Sequence, residues 1–281
     1  MANFRFKKFT IEQERSAMKV NTDGVLLGAW MNILGTDRSF LDVGTGSGVI
    51  AMMAAQRAAE AAAAAEHPVE AAADAVVRED AGRELSGQID VVAIDIDEAS
   101  LADAAYNFEE FLKLDWGADV RLEGLLVPFQ ELKQHRPQAE FDLIFSNPPY
   151  FINALKSAES AVSNARHTDT LGQGELIHSA LQLLAPQGRL ALVLPSAEAQ
   201  ELLRKIDFLI KGKKEGEMVL HPSRICKVHT IKTKPAKRWL MEFVFSDKGP
   251  SEVEQTQLVI QEGGDYTPQY KELTGAFYLN F

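Results

Sequence analysis

Nothing in this sequence restricts its fold more than the run Asp142-Leu143-Ile144-Phe145-Ser146 and the way it stops, in Asn147-Pro148-Pro149-Tyr150. The run is apolar and β-prone. Two successive prolines cannot donate to a ladder and fix their own φ, so a strand must end there. The pattern predicts a strand over 141–145 with a stiff bracket at its carboxyl end, the end where open α/β sheets bind ligands. The bracket offers a side-chain amide, proline carbonyls and an aromatic ring, which suit a flat molecule bearing an exocyclic NH2. The side-chain oxygen of Asn147 and the carbonyl of Pro148 can each accept one N–H, and Tyr150 can stack on the plane. Accepting both hydrogens turns the nitrogen lone pair out of conjugation and toward an electrophile. Asn147, Pro148 and Tyr150 are therefore the candidate catalytic residues.

The neighbours that such a strand needs are visible along the chain. Ser39–Val43 reads as a strand and leads through Gly44-Thr45-Gly46-Ser47-Gly48 into a helix beginning at Val49. Alternate glycines let backbone approach a ligand closely. This is not the dinucleotide fingerprint, whose third glycine would fall at Val49. The spacing D-x-G-x-G-x-G, from Asp42 to Gly48, instead resembles the S-adenosylmethionine loop of class I methyltransferases. A second strand, 89–94, ends in Asp95, where a carboxylate accepts ribose hydroxyls in folds of this kind. Asp95 lies 47 positions past Gly48, against about 20 in the usual arrangement. Residues 58–88, rich in Ala and Glu, account for the excess as an insertion that lengthens the first helix and returns through a loop. Further expected elements are a helix from 97 to 112, a weak third strand at 118–122 followed by Glu123-Gly124, an amphipathic helix through Leu176–Leu184, and a strand at 188–195. A helix over 196–209, a short strand at 217–221 and a closing strand at 238–245 complete the pattern. At the start, Phe4, Phe6 and Phe9 suggest an arm, and Thr22 or Asp23 is placed to cap the apolar helix 25–30. Strands alternating with helices predict a doubly wound, mostly parallel α/β sheet.

The length of 281 residues fits one large α/β domain with additions, or two small ones. The organisation expected is one domain over 1–281, with an N-terminal arm and cap helix over 1–35, the insertion at 58–88 and a basic loop region at 204–238. Cys226 is the only cysteine, which excludes an internal disulfide and a Cys-rich zinc site. His167, His221 and His229 are scattered, and no metal is expected. There is no run of 18 apolar residues and no leader-like start, so a cytoplasmic protein with no membrane partner is expected. The formal charge is −11, but residues 204–238 hold eleven Lys/Arg against three Asp/Glu, a local +8. Residues 1–19 hold five against two. A basic stretch on an acidic body attracts phosphates locally. Lys232, Lys234, Lys237 and Arg238 are the candidate RNA-binding residues.

Met18-Lys19-Val20-Asn21-Thr22-Asp23-Gly24, Asp42–Gly48, Asp95, Asn147–Tyr150 and the terminal Ala276-Phe277-Tyr278-Leu279 together resemble one family. It is the bacterial tRNA adenine-N6 methyltransferases that act on adenosine 37 of a valine tRNA. The resemblance runs from about Phe6 to Phe281 and breaks at the Ala/Glu insertion. It implies a Rossmann-like, seven-stranded sheet with an antiparallel last strand, S-adenosylmethionine as cofactor, S-adenosylhomocysteine as product and tRNA as partner. No obligate protein partner is evident. By the same resemblance, Met18 and Lys19 lie near the cofactor, Asp42 with Gly44, Gly46 and Gly48 cradles its methionine end, Asp95 holds the ribose, and Asn147 borders both sites. One departure concerns the acidic residue that commonly follows the third strand and binds the cofactor's adenine amino group; that position falls at Gly124, with Glu123 beside it. Asn-Pro-Pro-Tyr also occurs in DNA adenine, ribosomal guanine and protein glutamine N-methyltransferases. A protein-glutamine enzyme would use the same bracket on an amide but have less use for the basic stretch. A nicotinamide oxidoreductase shares the fold class but wants the missing glycine. A non-catalytic RNA-binding module would have no need of an intact bracket.

Overall fold

The computed structural model describes residues 3–66, 87–148 and 172–281. A small hairpin of β1 (Phe4–Arg5) and β2 (Thr10–Ile11) precedes α1 (Thr22–Trp30). Then follow β3 (Ser39–Val43), α2 (Val49–Glu66), β4 (Ile89–Asp95), α3 (Glu98–Leu112), β5 (Val120–Leu126), a 3-10 turn at Phe129–Glu131 and α4 (Leu132–His135). The second half comprises β6 (Phe141–Ser146), α5 (Gln173–Leu183), β7 (Leu184–Pro195), α6 (Ser196–Gly212), β8 (Val219–Ile231), β9 (Arg238–Ser246), β10 (Glu254–Glu262), β11 (Asp265–Tyr266) and α7 (Pro268–Thr274).

Nine strands form one sheet in the order β5-β4-β3-β6-β7-β9-β8-β10-β11. The run from β5 to β7 is parallel, and β9 is inserted antiparallel between β7 and β8. Those seven strands are the expected sheet with its reversed last strand. Two more extend it, because β10 pairs parallel to β8 and the short β11 folds back on β10. The central strands are buried on both faces, which is why they read as unbroken apolar runs. On one face α1, α2 and α3 cover a core containing Leu26, Met52, Phe108 and Phe145. On the other, α5 and α6 bury Leu176, Ile177, Leu202 and Ile206 against Ile144 and Leu192. The helix α1 is apolar on all sides and buried on all sides, the combination expected of a core helix.

Four expectations need correction. The cap of α1 is Asn21, whose side chain accepts from Gly24 N at 2.9 Å; Thr22 and Asp23 are already helical. The third strand does not stop at Leu122 but runs to Leu126, so Glu123 and Gly124 lie within it, Gly124 opposite Ala93. The Ala-rich stretch begins as core: Ala58, Ala59 and Ala62 are buried on α2, while residues 67–86 of the expected insertion lie outside the described residues. Finally, the basic stretch 204–238 is mostly the end of α6 and the 13-residue strand β8, with loop only over residues 213–218 and at the tip between Ile231 and Arg238.

Candidate active site

The carboxyl ends of β3, β4 and β6 point the same way, and a cleft of about 500 Å³ opens above them. That size is within the range of small-molecule and cofactor sites. Met18, Lys19, Gly44, Gly46, Asp95, Asn147 and Pro148 all line it, so most of the residues singled out in the sequence share one space. Tyr150, Pro149 and His167 lie outside the described residues.

Gly44 and Gly46 adopt φ of 72° and 56°, and a Cβ on either would meet no atom within 4 Å. Both therefore present bare backbone to open space, in a conformation that other residues avoid. The loop is latched from below. Gly44 N and Thr45 N donate to Ile94 O at 2.9 and 3.0 Å, and Gly46 N donates to Asp95 Oδ2 at 2.8 Å. Gly48 serves a different purpose from the one expected. Its φ is 85°, it does not line the cleft, and a Cβ there would stand 2.5 Å from the ring of Phe108, so this glycine lets α3 pack against the loop.

Asp42 is also not a lining residue. It is fully buried beneath the loop, where its Oδ2 accepts from Thr45 Oγ1 at 2.8 Å and Ala51 N at 3.1 Å. Its Oδ1 is buried without a hydrogen-bond partner among the described residues. Burial pushes the carboxyl up to about 7, although the two hydrogen bonds oppose the shift. Asp42 thus holds the glycine turn against the start of α2. Asp95 is nearer the ligand space. Its Oδ1 accepts from Ile96 N and Asp97 N at 2.8 and 2.9 Å, and its Oδ2 holds the loop as above. A carboxylate has roughly four lone-pair sites and three are taken, so capacity remains for one hydroxyl.

The arm forms the facing wall. Lys19 spends its ammonium on the carbonyls of Gln13, Glu14 and Ser16, at 3.2 and 3.0 Å for the last two, closing the segment 13–19 on itself. Two buried residues of α3, invisible as site residues in the sequence, pin this strap. Asp103 accepts from Arg15 N, Ser16 N and Ser16 Oγ at 2.7–2.9 Å. Asn107 accepts from Glu12 N at 2.8 Å and donates to Glu12 O at 2.7 Å and Ser47 O at 2.8 Å, bridging the strap to the glycine loop.

The corrected end of β5 brings in further lining residues. Val127, Pro128, Phe129 and Gln130 follow the strand into the cleft, with Val127 N donating to Asp95 O at 3.1 Å. Glu123 is elsewhere, paired with Arg121 and Arg136. The signal that could have found 127–130 is Pro128, the first residue after Gly124 that a continuing strand cannot accommodate.

At the outer edge, the tip of the β8–β9 hairpin leans on the end of β7. Ser196 N donates to Lys237 O at 3.1 Å, and Ser196 Oγ donates to Ala236 O at 2.6 Å. Lys232, Lys234 and Lys237 are exposed, and none forms an ion pair with a described residue. Arg238 is different, because its guanidinium pairs with the buried Asp23 of α1. Among the described residues no group of three His, Cys, Asp or Glu is placed to hold a metal.

The chain matches the UPF0020 family, described as RMKL-like, methyltransferase domain, over residues 33–207. It is 34% identical to the tRNA1(Val) (adenine(37)-N6)-methyltransferase of Trichodesmium erythraeum, across 99% of this chain and 98% of that one. The enzyme of the same name from Bacteroides fragilis is 33% identical over 98% of this chain and 97% of the relative. The chain belongs to the tRNA1(Val) (adenine(37)-N6)-methyltransferase family. Among solved structures, the fold is similar to that of a predicted O-methyltransferase from Agrobacterium tumefaciens. The TM-score is 0.55, with 15% identity, over 91% of this chain and 96% of that one. For this tRNA methyltransferase family member, the glycine loop and the bracket belong to one methyltransferase fold, and the arm, the hairpin and the β10–α7 extension surround it.

Proposed function

We propose that the protein transfers a methyl group from S-adenosylmethionine to N6 of an adenosine in tRNA, adenosine 37 of a valine tRNA, in the cytoplasm. The observation that carries this reading is the convergence of bare glycine backbone, Asp95 and Asn147-Pro148 on one cleft. The full-length relatives bear that activity as their name. Among the described residues no helix is long and apolar enough to cross a membrane.

The lining fits the cofactor. Gly44 and Gly46 leave room for the amino-acid end, Asp95 offers a carboxylate to ribose hydroxyls, and Ile96, Val127 and Phe129 offer an apolar slot to a flat base. Gln130 lines the same cleft, and its side-chain amide is assigned, in place of Gly124, to the adenine edge. S-adenosylmethionine supplies the electrophilic methyl and its own leaving group. The protein's part is then to position and desolvate. Asn147 Oδ1 and the Pro148 carbonyl accept the two hydrogens of the target amine, aiming its lone pair into the cleft. Tyr150 stacks on the base. Once N6 is methylated its surplus proton is acidic and leaves to water, so no dedicated base is required. An already unstacked loop nucleotide enters at least cost. Lys232, Lys234 and Lys237 contact backbone phosphates, while Arg238, held by Asp23, shapes the base of the hairpin.

Incubating the enzyme with S-adenosylmethionine carrying a tritiated methyl, tRNA and cell protein tests the reading. Label recovered as N6-methyladenosine in tRNA is expected. Label recovered in protein would replace this reading with the glutamine N-methyltransferase one.

A further inference from the structure

The helix α6 covers the sheet over β7, β9 and part of β8, burying Leu202 and Ile206. Beyond it the same face of the sheet continues across β8 and β10 without a described helix over it. Register places Ile225 beside Gln255, Lys227 beside Gln257, His229 beside Val259 and Ile231 beside Gln261. Lys227 also lies opposite Trp239 of β9. Because side chains alternate along a strand, these residues share one face. The intervening Cys226, Val228, Leu258 and Ile260 turn the other way into the core that α1 and α7 cover.

In a chain of net charge −11, no carboxylate stands at any of these positions on the open face. The acids of β10, Glu254 and Glu262, fall on the opposite side by the same alternation. Lys227 holds its ammonium 4.8 Å from the centre of the Trp239 ring, and Gln255 and Gln257 are exposed. The face is continuous with the lysine tip, since His229 Nδ1 lies 2.8 Å from Lys234 O. It is also close to the cleft. From β6, which Asn147 follows, the sheet order passes through β7 and β9 to β8 and β10. Three to four strand spacings of about 4.8 Å put the face roughly 14–19 Å to one side.

We propose that this open face of β8, β9 and β10 is a platform for the RNA substrate, extending the contact made by the hairpin tip. Lys227 meets a phosphate, while Gln255, Gln257 and Gln261 exchange hydrogen bonds with phosphates and 2′-hydroxyls. Contacts of that kind fix the register and orientation of an RNA without reading its sequence. Charge selects the partner: a positive and neutral surface on an acidic protein admits a polyanion and repels little of it.

This platform rests on the tRNA reading of the site, and the experiment separates the two. The variant Gln255→Glu/Gln257→Glu exchanges two exposed amides for isosteric carboxylates, and Lys227→Ala removes the cation. Each is compared with wild type for binding of an unmodified valine tRNA transcript across a salt series, for methyl transfer to it, and for S-adenosylhomocysteine affinity. The double variant should bind tRNA at least about tenfold more weakly. Lys227→Ala should lower the salt slope by about one. S-adenosylhomocysteine binding should stay at its wild-type value in both. If the wild type methylates tRNA and both variants bind it with wild-type affinity and slope, the platform is wrong and the site reading stands. If the wild type methylates no tRNA, the site reading falls and the platform with it. A change in sedimentation with tRNA binding unaltered would make the face a contact between copies of this chain, and would likewise overturn the proposal.

Discussion

The charges around the cleft and those at the tip of the β8–β9 hairpin obey opposite rules. Around the cleft the charged groups are already engaged by backbone: Asp42, beneath the glycine loop, by Ala51 N, Asp95 by three amides, Lys19 by three carbonyls. At the tip, Lys232, Lys234 and Lys237 stand exposed and unmatched by any described acid. Groups fixed in advance lose no orientation when a small ligand arrives, which is the condition for electrostatic preorganisation. Groups held only by water suit a partner whose phosphates vary in position and release counterions on contact. Catalytic-edge substitutions should therefore move kcat or cofactor affinity, and tip substitutions the salt dependence of tRNA binding.

The largest effect expected is from Asn147→Ala, which removes one of the two acceptors proposed for the target amine. Turnover should fall by about 10²–10³-fold or more while the S-adenosylmethionine Kd changes little. A variant with wild-type kcat would strip Asn147 of that role. Next is Asp95→Ala, which removes the carboxylate proposed to meet the ribose and unlatches Gly46. Its cofactor Kd should rise by about 10- to 150-fold, from roughly 1.5–3 kcal/mol. Calorimetry returning the wild-type Kd would place Asp95 outside the cofactor's reach. The lysine tip is probed by replacing Lys232, Lys234 and Lys237 together with Ala. Transcript binding should weaken by about tenfold and its log–log salt slope flatten by two to three, with cofactor affinity unchanged. A triple variant with an unaltered slope would erase the contrast between the two regions.

A last variant touches stability alone and tests what fixing costs the fold. Burial holds the Asp42 carboxyl at about 7 against an ordinary 3.8, so between those values the folded state keeps a proton that the unfolded chain gives up. Wild type accordingly gains stability from this group as pH falls through about 7, and above it the buried charge is a burden on the order of 4 kcal/mol at most. Asp42→Asn is neutral throughout. Its Tm should exceed that of wild type by several °C at pH 8, with the margin closing toward pH 5. A margin that does not depend on pH would mean that Asp42 is not the titrating group.

Much of the cleft was legible because its signals are covalent in origin. Two prolines end β6, and alternate glycines permit the positive φ values of the loop. What the sequence hid depended on partners far along the chain. The strand β8 reads as a basic loop because it contains Pro222, Arg224 and Lys227. In the fold Pro222 sits at a register shift, Arg224 lies 4.3 Å over the Trp30 ring, and Lys227 covers Trp239. Charged side chains are tolerable on a strand once an aromatic face receives them. The extent of β5 was missed for a related reason, since Gly124 in a strand looks like an end. It is accommodated where Leu101 of α3 packs close, 3.0 Å from where a Cβ would stand. The cap at Asn21 was ambiguous because Asn21, Thr22 and Asp23 are all good caps in sequence. Asp103 and Asn107 carried no local signal at all; they look like ordinary polar positions on an amphipathic helix.

The arm that supplies one wall of the cleft is fastened by contacts of extreme sequence separation. Lys7 N donates to Phe277 O at 2.8 Å, Lys7 Nζ donates to the carbonyls of Gly275 and Phe281 at 2.5 and 2.7 Å, and Phe6 packs against Phe277. Closing a loop of that length is among the last events for which a folding chain recovers its entropy. On the ribosome, Glu12, Arg15 and Ser16 can dock once α3 exists, but Phe4, Phe6 and Lys7 must wait for residues 275–281 to be made. The wall of the cleft is thus fastened in two stages, and in the interval between them chaperones that recognise exposed aromatic segments can meet Phe4 and Phe6.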